Sequence, residues 1–386
     1  MSLPAQTKTQ HYARAVLGHI HEYISGQGFF FTKQDIANFY LSLKTKPFVI
    51  LAGISGTGKT QLVRQFAAAI GCKDNCTLIP VRPDWTDNAD LLGYTDLSGK
   101  FRGKALFSAI IRAHQHPEEI FFVILDEMNL ARVEHYLSDI LSIMETRERV
   151  GERIVSDPIL TVDMLGESLT ETNFPLGLPD NLYLIGTVNM DETTHPFSRK
   201  VLDRANSIEM NDVHLDWPVA DEVVAPIEDV YNDFLLSPYV QPKDVSEAEK
   251  QRMNSTLQLL TDINQILKKA DLQFGYRVRD EIAFYMLNRH EIRELISEQE
   301  AIDLQVMQKI LPRIHGSSRR VGRVLFELIR KFSPSTIDLQ PGLYASEIAE
   351  KLGDPRKKGY KFPRTLEKLL LMHRRFEEDG FTSFWM

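Results

Sequence analysis

Residues 53–60 read Gly-Ile-Ser-Gly-Thr-Gly-Lys-Thr and complete the pattern GxxxxGK[ST]. Glycines let a backbone curl so that successive N–H groups face inward, which is the geometry that phosphate oxygens require. In such a loop Lys59 reaches the β- and γ-phosphates of a nucleotide, and Thr60 ligates Mg2+. The alternative is a glycine-rich turn that binds no ligand.

The sequence on either side of this loop favours phosphate binding. Residues 47–52 form an apolar run typical of a strand, and residues 61–70 carry a helical pattern. A strand followed by a helix places the loop at a sheet edge and adds the partial positive charge of the helix N-terminus. The residues expected to contact a nucleoside triphosphate in this segment are Gly53, Ser55, Gly56, Thr57, Gly58, Lys59, Thr60 and Gln61.

Two acids, Asp126 and Glu127, directly follow a second apolar run at residues 120–125. Parallel strands deliver such residues to the carboxyl edge of the sheet, where ligands bind. Asp126 is placed to hold Mg2+ through its water shell, and Glu127 to act as the base that polarises an attacking water. An apolar run that ends in two acids is common by itself, so the pair becomes informative because a phosphate-binding loop precedes it.

Asn189 ends a third apolar run, at residues 181–188. Its amide can hydrogen-bond the attacking water or the γ-phosphate. The alternative is an ordinary turn residue at the end of a strand.

Arg199 and Arg204 lie in a predicted short helix at residues 196–204. A guanidinium there can stabilise transition-state charge on the nucleotide of a neighbouring subunit. Alternatively, Asp203 or Glu209 can satisfy it locally.

The elements that position these residues alternate between strand-like and helical patterns from residue 47 to about 210. Such alternation predicts βαβ units and a parallel sheet. Two helices are predicted before the sheet, at residues 11–24 and 32–42, with Thr32 as an N-cap. The pattern after residue 218 is mainly helical. The predicted strands are 48–52, 77–81, 120–125, 181–188 and 206–210.

Composition limits the compartment and the partners. The sequence has no apolar run of about 18 residues or more, which excludes a membrane-spanning helix, and no signal-peptide pattern. Cys72 and Cys76 are the only cysteines, and a reducing, cytoplasmic setting is expected. Residues 313–376 hold 15 Lys/Arg against 6 Asp/Glu in a chain of net charge −8. This excess indicates either a solvated helical face or a surface for nucleic acid or an acidic partner.

The motifs, taken in order, resemble those of the AAA+ ATPases, over about residues 45–335. Within that class the chain is most similar to the McrB-type motors of modification-dependent restriction systems. Four tracts carry this closer resemblance, and residues 362–385 also look like the end of such proteins. The tracts are Asp-Glu-Met-Asn-Leu-Ala-Arg at 126–132, Gly-Thr-Val-Asn-Met-Asp-Glu-Thr-Thr at 186–194, Phe-Gly-Tyr-Arg-Val-Arg-Asp-Glu-Ile at 274–282 and Lys-Ile-Leu-Pro-Arg-Ile-His-Gly at 309–316.

The resemblance implies a role for each site residue. Asn189 is sensor 1, Arg204 is the first choice for a trans-acting arginine finger and Arg199 the second. Arg277 or Arg279 is sensor 2. Residues 84–101 resemble a helix-2 hairpin insert, and residues 150–180 a second hairpin, both facing the pore of a ring.

The resemblance also implies an α/β P-loop AAA+ domain with a parallel sheet, an α-helical lid and a helical C-terminal extension. The expected divisions are 1–46, 47–215, 216–335 and 336–386. Expected ligands are ATP or GTP with Mg2+, since the tract after Asn189 departs from the McrB pattern and implies no guanine preference. A homo-oligomeric, hexameric ring is expected, with DNA and a McrC-like nuclease as partners. The alternatives are a MoxR-like chaperone ATPase that remodels a protein complex and a nucleotide-dependent scaffold.

Overall fold

A parallel sheet forms the centre of the first half of the chain. The structure is a computed structural model that describes residues 5–160, 176–190, 195–213, 215 and 224–385. Five strands form this sheet in the order β11-β1-β10-β5-β2, and each predicted strand is confirmed. The strands are β1 (Phe48–Gly53), β2 (Cys76–Pro80), β3 (Gly93–Thr95), β4 (Phe101–Gly103), β5 (Phe121–Asp126), β6 (Glu148–Val150), β7 (Arg153–Val155), β8 (Pro158–Leu160), β9 (Leu176–Gly177), β10 (Leu182–Asn189) and β11 (Asn206–Glu209).

The central strands are buried on both faces, which explains their continuous apolar runs. All six residues of β1 are buried, and so are all residues of β10 except the last. The register places Gly53 opposite Asn189 and Pro80 opposite Asp126. Because every pair is parallel, the carboxyl ends of β1, β5 and β10 meet at one edge of the sheet.

Helices of the first half cover the sheet and confirm the two predicted near the N-terminus. Thr32 caps α2 with a capping box, in which Asp35 binds back to the Thr32 backbone. Helix α1 packs against α3, which follows the phosphate-binding loop. The helices are α1 (Ala5–Gly26), α2 (Lys33–Thr45), α3 (Lys59–Ala69), α4 (Ala105–Gln115), α5 (Val133–Tyr136), α6 (Ser138–Ile143) and α7 (Arg199–Leu202).

Short antiparallel hairpins interrupt this α/β pattern. Strands β3 and β4 pair within the insert predicted at residues 84–101. Two further pairs, β6 with β7 and β8 with β9, occupy the region of the second predicted hairpin. Part of that prediction, residues 161–175, lies outside the described residues.

The second half of the chain is helical, as predicted. Its core packs α12 against α14, where Gly322 leaves room for the ring of Phe376. The helices are α8 (Glu247–Arg252), α9 (Asn254–Lys268), α10 (Tyr276–Asn288), α11 (Glu298–Gln305), α12 (Arg319–Phe332), α13 (Ala345–Leu352) and α14 (Pro363–Asp379), with a small pair of strands, β12 (His315–Gly316) and β13 (Thr382–Ser383). Among the described residues, no helix is long and apolar enough to span a membrane.

The chain divides into two units, Met1–Asp244 and Val245–Met386. The boundaries predicted after residues 46, 215 and 335 differ from this division. The N-terminal helices belong to the unit that contains the sheet, because α1 and α2 pack on its elements. Residues 336–386 belong to the same unit as the helices before them, because α14 packs on α11 and α12.

Candidate nucleotide-binding site

The loop between β1 and α3 has the backbone conformation that phosphate binding requires. Gly56 and Gly58 have φ of 84° and 83°, in the left-handed region that favours glycine. Helix α3 begins at Lys59, whose side chain is buried. The Lys59 ammonium donates hydrogen bonds to the carbonyl oxygens of Gly53 (3.0 Å) and Ile54 (2.7 Å). The loop therefore curls around the cation that is expected to meet the phosphates.

Contacts from outside the motif support this loop, and the sequence pattern did not indicate them. The Ile54 N–H donates to Oδ1 of Asn211, 3.1 Å away. The ring of Phe31 lies against Gly58, where a Cβ would be 3.2 Å from it. Neither residue belongs to a local motif, so only the tertiary structure reveals these contacts.

Thr60 and Asp126 meet at the sheet edge as predicted. The Thr60 hydroxyl donates a hydrogen bond of 3.0 Å to Oδ1 of Asp126. Hydroxyl and carboxylate oxygens are the ligand types that Mg2+ accepts, usually with phosphate oxygens and water completing its shell. The described residues include no group of three or more His, Cys, Asp or Glu that could hold a metal ion alone. The Thr60 hydroxyl and the Asp126 carboxylate supply two oxygen ligands, which fit Mg2+ whose remaining ligands are phosphate oxygens and water.

Glu127 and Asn189 are also brought together. The Asn189 side-chain amide donates a 2.9 Å hydrogen bond to Oε1 of Glu127. Glu127 has φ of 52°, which is uncommon for a residue with a side chain. The side chain of Met128 fills the space above Gly186, where a Cβ would lie 1.8 Å from its sulfur. The turn after β5 is thus held against β10, with the predicted base beside the predicted sensor.

The two candidate finger arginines differ in their surroundings. The Arg204 side chain is 16% exposed, with Nε 3.3 Å from Oε1 of Glu145. Its Nη1 donates to the carbonyl oxygen of Lys200 at 2.8 Å. Arg199 is exposed at the first position of α7. The alternative of a local ion pair therefore describes Arg204, although its partner is Glu145 rather than Asp203 or Glu209.

Arg277 and Arg279 lie in the first turn of α10, in the second unit. Arg279 forms an ion pair with Asp280, with Nη2 2.6 Å from Oδ1, and its guanidinium lies 4.7 Å from the centre of the Tyr276 ring. Burial raises the pKa of Asp280, and the hydrogen bond from Arg279 opposes this shift. The sensor 2 role of either arginine stays a prediction.

Comparisons with known proteins agree with this geometry. The sequence profile of the AAA domain (dynein-related subfamily) matches residues 48–205, and that of a domain of unknown function (DUF8727) matches residues 226–381. The Type IV methyl-directed restriction enzyme EcoKMcrB subunit of Escherichia coli (strain K12) is 24% identical over 254 residues, covering 64% of this chain and 50% of that subunit. This chain thus spans about half of that relative.

A crystal structure of a protein from Cytophaga hutchinsonii, provisionally assigned as an ATPase, superposes with a TM-score of 0.46 at 15% identity and covers 79% of this chain and 88% of that one. The profile match begins at β1 and ends just before β11, so it includes the phosphate-binding loop and the strands that carry Asp126 and Asn189. Residues 48–205 are therefore an AAA domain of the dynein-related subfamily.

Proposed function

We propose that this chain is the ring-forming NTPase motor of a DNA-processing system, in which hydrolysis of ATP or GTP drives DNA translocation or remodelling for a nuclease of the McrC type. One observation carries the hydrolytic part: three strand ends bring Lys59, the Thr60–Asp126 pair and the Glu127–Asn189 pair to one edge of the sheet. These groups provide a cation, a metal-binding pair and a base at a phosphate-binding loop.

Each group has a distinct part in the reaction. Lys59 binds the β- and γ-phosphates and neutralises charge as the γ-phosphoryl group departs. Mg2+, held by Thr60 and Asp126, would supply further charge neutralisation when bound with the nucleotide. Glu127 orients the attacking water and accepts its proton. Asn189 fixes the direction of the Glu127 carboxylate through their hydrogen bond.

The proposed hexameric ring supplies the remaining cation from a neighbouring subunit. An arginine finger must be exposed on its own subunit in order to reach the nucleotide of a neighbouring one. Arg199 is exposed, whereas Arg204 is largely buried beside Glu145. We therefore place the finger at Arg199. Arg204 instead ties the segment after α7 to the end of α6.

Two features support DNA as the substrate. The Escherichia coli relative is a subunit of a methyl-directed restriction enzyme. The basic segment 313–376 includes Arg319, Arg323 and Arg330, all exposed on α12. Lysine and arginine contacts to phosphates supply most of the affinity in non-specific DNA binding.

The β3–β4 hairpin supports the second candidate, a MoxR-like chaperone that remodels a protein complex. Leu97 is fully exposed at its tip and Tyr94 is half exposed. Arg102 of this hairpin forms an ion pair with Asp96, with Nε 2.8 Å from Oδ2. Hydrogen bonds from the Ser98 hydroxyl, the Lys100 backbone and Arg102 lower the pKa of Asp96. An ordered tip that presents leucine suits an apolar protein surface.

Stimulation of hydrolysis separates the two functions. Duplex DNA, alone or with a McrC-type nuclease, is expected to raise the hydrolysis rate. This stimulation is expected to fade between low and physiological salt, because binding releases counterions from the DNA phosphates and added salt opposes that release. Arg319→Gln with Arg323→Gln is expected to weaken the stimulation without lowering basal turnover. Leu97→Ser is the matched control, since it changes the hairpin tip without changing charge.

The opposite pattern would support the chaperone. In that case DNA neither binds nor stimulates, even with the nuclease present, and Leu97→Ser abolishes stimulation by a protein substrate. Lys100→Gln with Lys104→Gln tests the hairpin charges while leaving the Asp96–Arg102 ion pair intact.

A further inference from the structure

Thr187, on β10, contacts both acids of the site, although the sequence tract that includes it assigns it no role. Its hydroxyl donates a 2.7 Å hydrogen bond to Oδ1 of Asp126 and accepts one of 3.0 Å from the backbone N–H of Glu127. A threonine hydroxyl has a single proton, so the bond to Asp126 uses its only donor. The residue is 2% exposed, so no solvent competes for these bonds.

The strand register explains why a side chain is needed at this position. Pairing of β10 with β5 ends where Gly186 lies opposite Leu125. Glu127 then leaves the strand with φ of 52°, a conformation that persists only where the surroundings hold it. The Thr187 hydroxyl accepts the hydrogen bond of the Glu127 N–H at the point where strand pairing ends.

The Asp126 carboxylate is held from two directions. Thr60, on α3, and Thr187, on β10, both donate to Oδ1 of Asp126, at 3.0 Å and 2.7 Å. Two donors on one oxygen restrict rotation of the carboxylate. Groups that orient a metal-binding side chain in this way raise the affinity for the ion and set the geometry of the site.

We propose that Thr187 is a positioning residue for hydrolysis, which sets the carboxylate of Asp126 and the backbone of Glu127 at the same time. Through Asp126 it orients the binding of Mg2+, and through Glu127 it directs the base. This inference rests on the hydrolytic function proposed above. It assigns the sensor strand a second contact with the acids, separate from that of Asn189.

Thr187→Val tests the proposal because valine keeps the shape and the β-branching of threonine and removes only the hydroxyl. Loss of such an orienting partner typically costs about 10–100-fold in activity or metal affinity. We expect kcat to fall within that range, with KM for the nucleotide unchanged at saturating Mg2+. We also expect a higher Mg2+ concentration at half-saturation in an equilibrium titration of the nucleotide-bound protein, which is measured without turnover. Thr187→Ser, which restores the hydroxyl, is expected to recover most of both losses.

The thermal unfolding midpoint of each variant shows whether the fold is retained, and Thr187→Ala replaces the valine variant if that one unfolds. Wild-type kcat and wild-type Mg2+ dependence in Thr187→Val would overturn the inference. So would a serine variant as impaired as the valine variant, because the methyl group would then be the important feature. Absence of hydrolysis of both ATP and GTP by the wild-type protein would instead refute the proposed function, and the inference with it.

Discussion

The Asn189 amide and the Glu127 carboxylate are joined by a hydrogen bond of 2.9 Å between Nδ2 and Oε1, although Glu127 follows β5 and Asn189 ends β10. The contact holds the carboxylate at the same sheet edge as the phosphate-binding loop, because β10 lies between β1 and β5. The hydrogen bond from Asn189 orients the carboxylate of the residue proposed as the base.

Glu127→Gln is expected to bind nucleotide normally and to lose turnover by about a hundredfold or more, the scale on which a general base contributes. Glutamine keeps a side-chain oxygen that can accept the hydrogen bond from Asn189, so the geometry is retained while the base is lost. Equilibrium nucleotide binding and steady-state hydrolysis measure the two effects. Full turnover in this variant would exclude Glu127 as the base.

Arg199→Ala is expected to leave nucleotide binding intact and to slow hydrolysis by about a thousandfold, the scale of an arginine finger. Mixing Arg199→Ala with Glu127→Gln subunits should restore activity, because mixed rings contain interfaces with both groups intact. Arg204→Ala serves as the comparison and is expected chiefly to lower thermal stability, since it breaks the contact with Glu145. If mixing with Glu127→Gln subunits restored hydrolysis for Arg204→Ala and not for Arg199→Ala, Arg204 would be the arginine finger instead.

Gly53→Ala is expected to destabilise the protein by about 1–3 kcal/mol, as overpacking commonly does. Its Cβ would lie 2.3 Å from the backbone oxygen of Met210, which cannot move independently of β11. Nucleotide affinity should fall with it, because Gly53 begins the phosphate-binding loop. Gly18→Ala, in α1 with nothing within 4 Å of the new methyl group, is the control and should stabilise by about 0.5–1 kcal/mol. Chemical denaturation measures both.

The stability of the second unit is expected to depend on pH through His373. Burial lowers the pKa of this imidazole from 6.5, and Glu377, with Oε1 3.4 Å from Nδ1, partly opposes the shift. The unfolded chain then binds the proton more readily than the folded chain. The contribution of His373 to the free energy of unfolding is therefore fully present above pH 6.5 and is lost as the pH falls towards the lower pKa of the folded state.

Urea unfolding of the full chain at a series of pH values below 7.5 measures this loss. His373→Gln should reduce the dependence of the free energy of unfolding on pH below pH 6.5. His315→Gln, at an exposed position of the same unit, should leave that dependence unchanged. An unchanged slope in His373→Gln would show that another group controls the effect.

The sequence by itself determined the secondary structure and the conformation of the phosphate-binding loop, because these depend on residues that are close along the chain. Glycine at positions 56 and 58 permits the positive φ that the loop adopts, and the apolar runs before Asp126 and Asn189 are long enough to identify buried strands. The order of these motifs predicted the sheet and the helical second half, and it assigned Thr60 and Asp126 to one Mg2+ site, where the structure brings the two side chains together.

The tertiary structure alone decided the contacts between segments that no local pattern relates. Whether Arg204 meets Glu145 depends on how the segment after α6 lies against the segment after α7. Asn211 reaches the loop only because β11 pairs with β1. Thr187 belongs to the tract at 186–194, which assigns it no role of its own. Its role appears only when the register of β10 against β5 places its hydroxyl between two acids, since hydrogen bonds depend on distance in space rather than on separation along the chain.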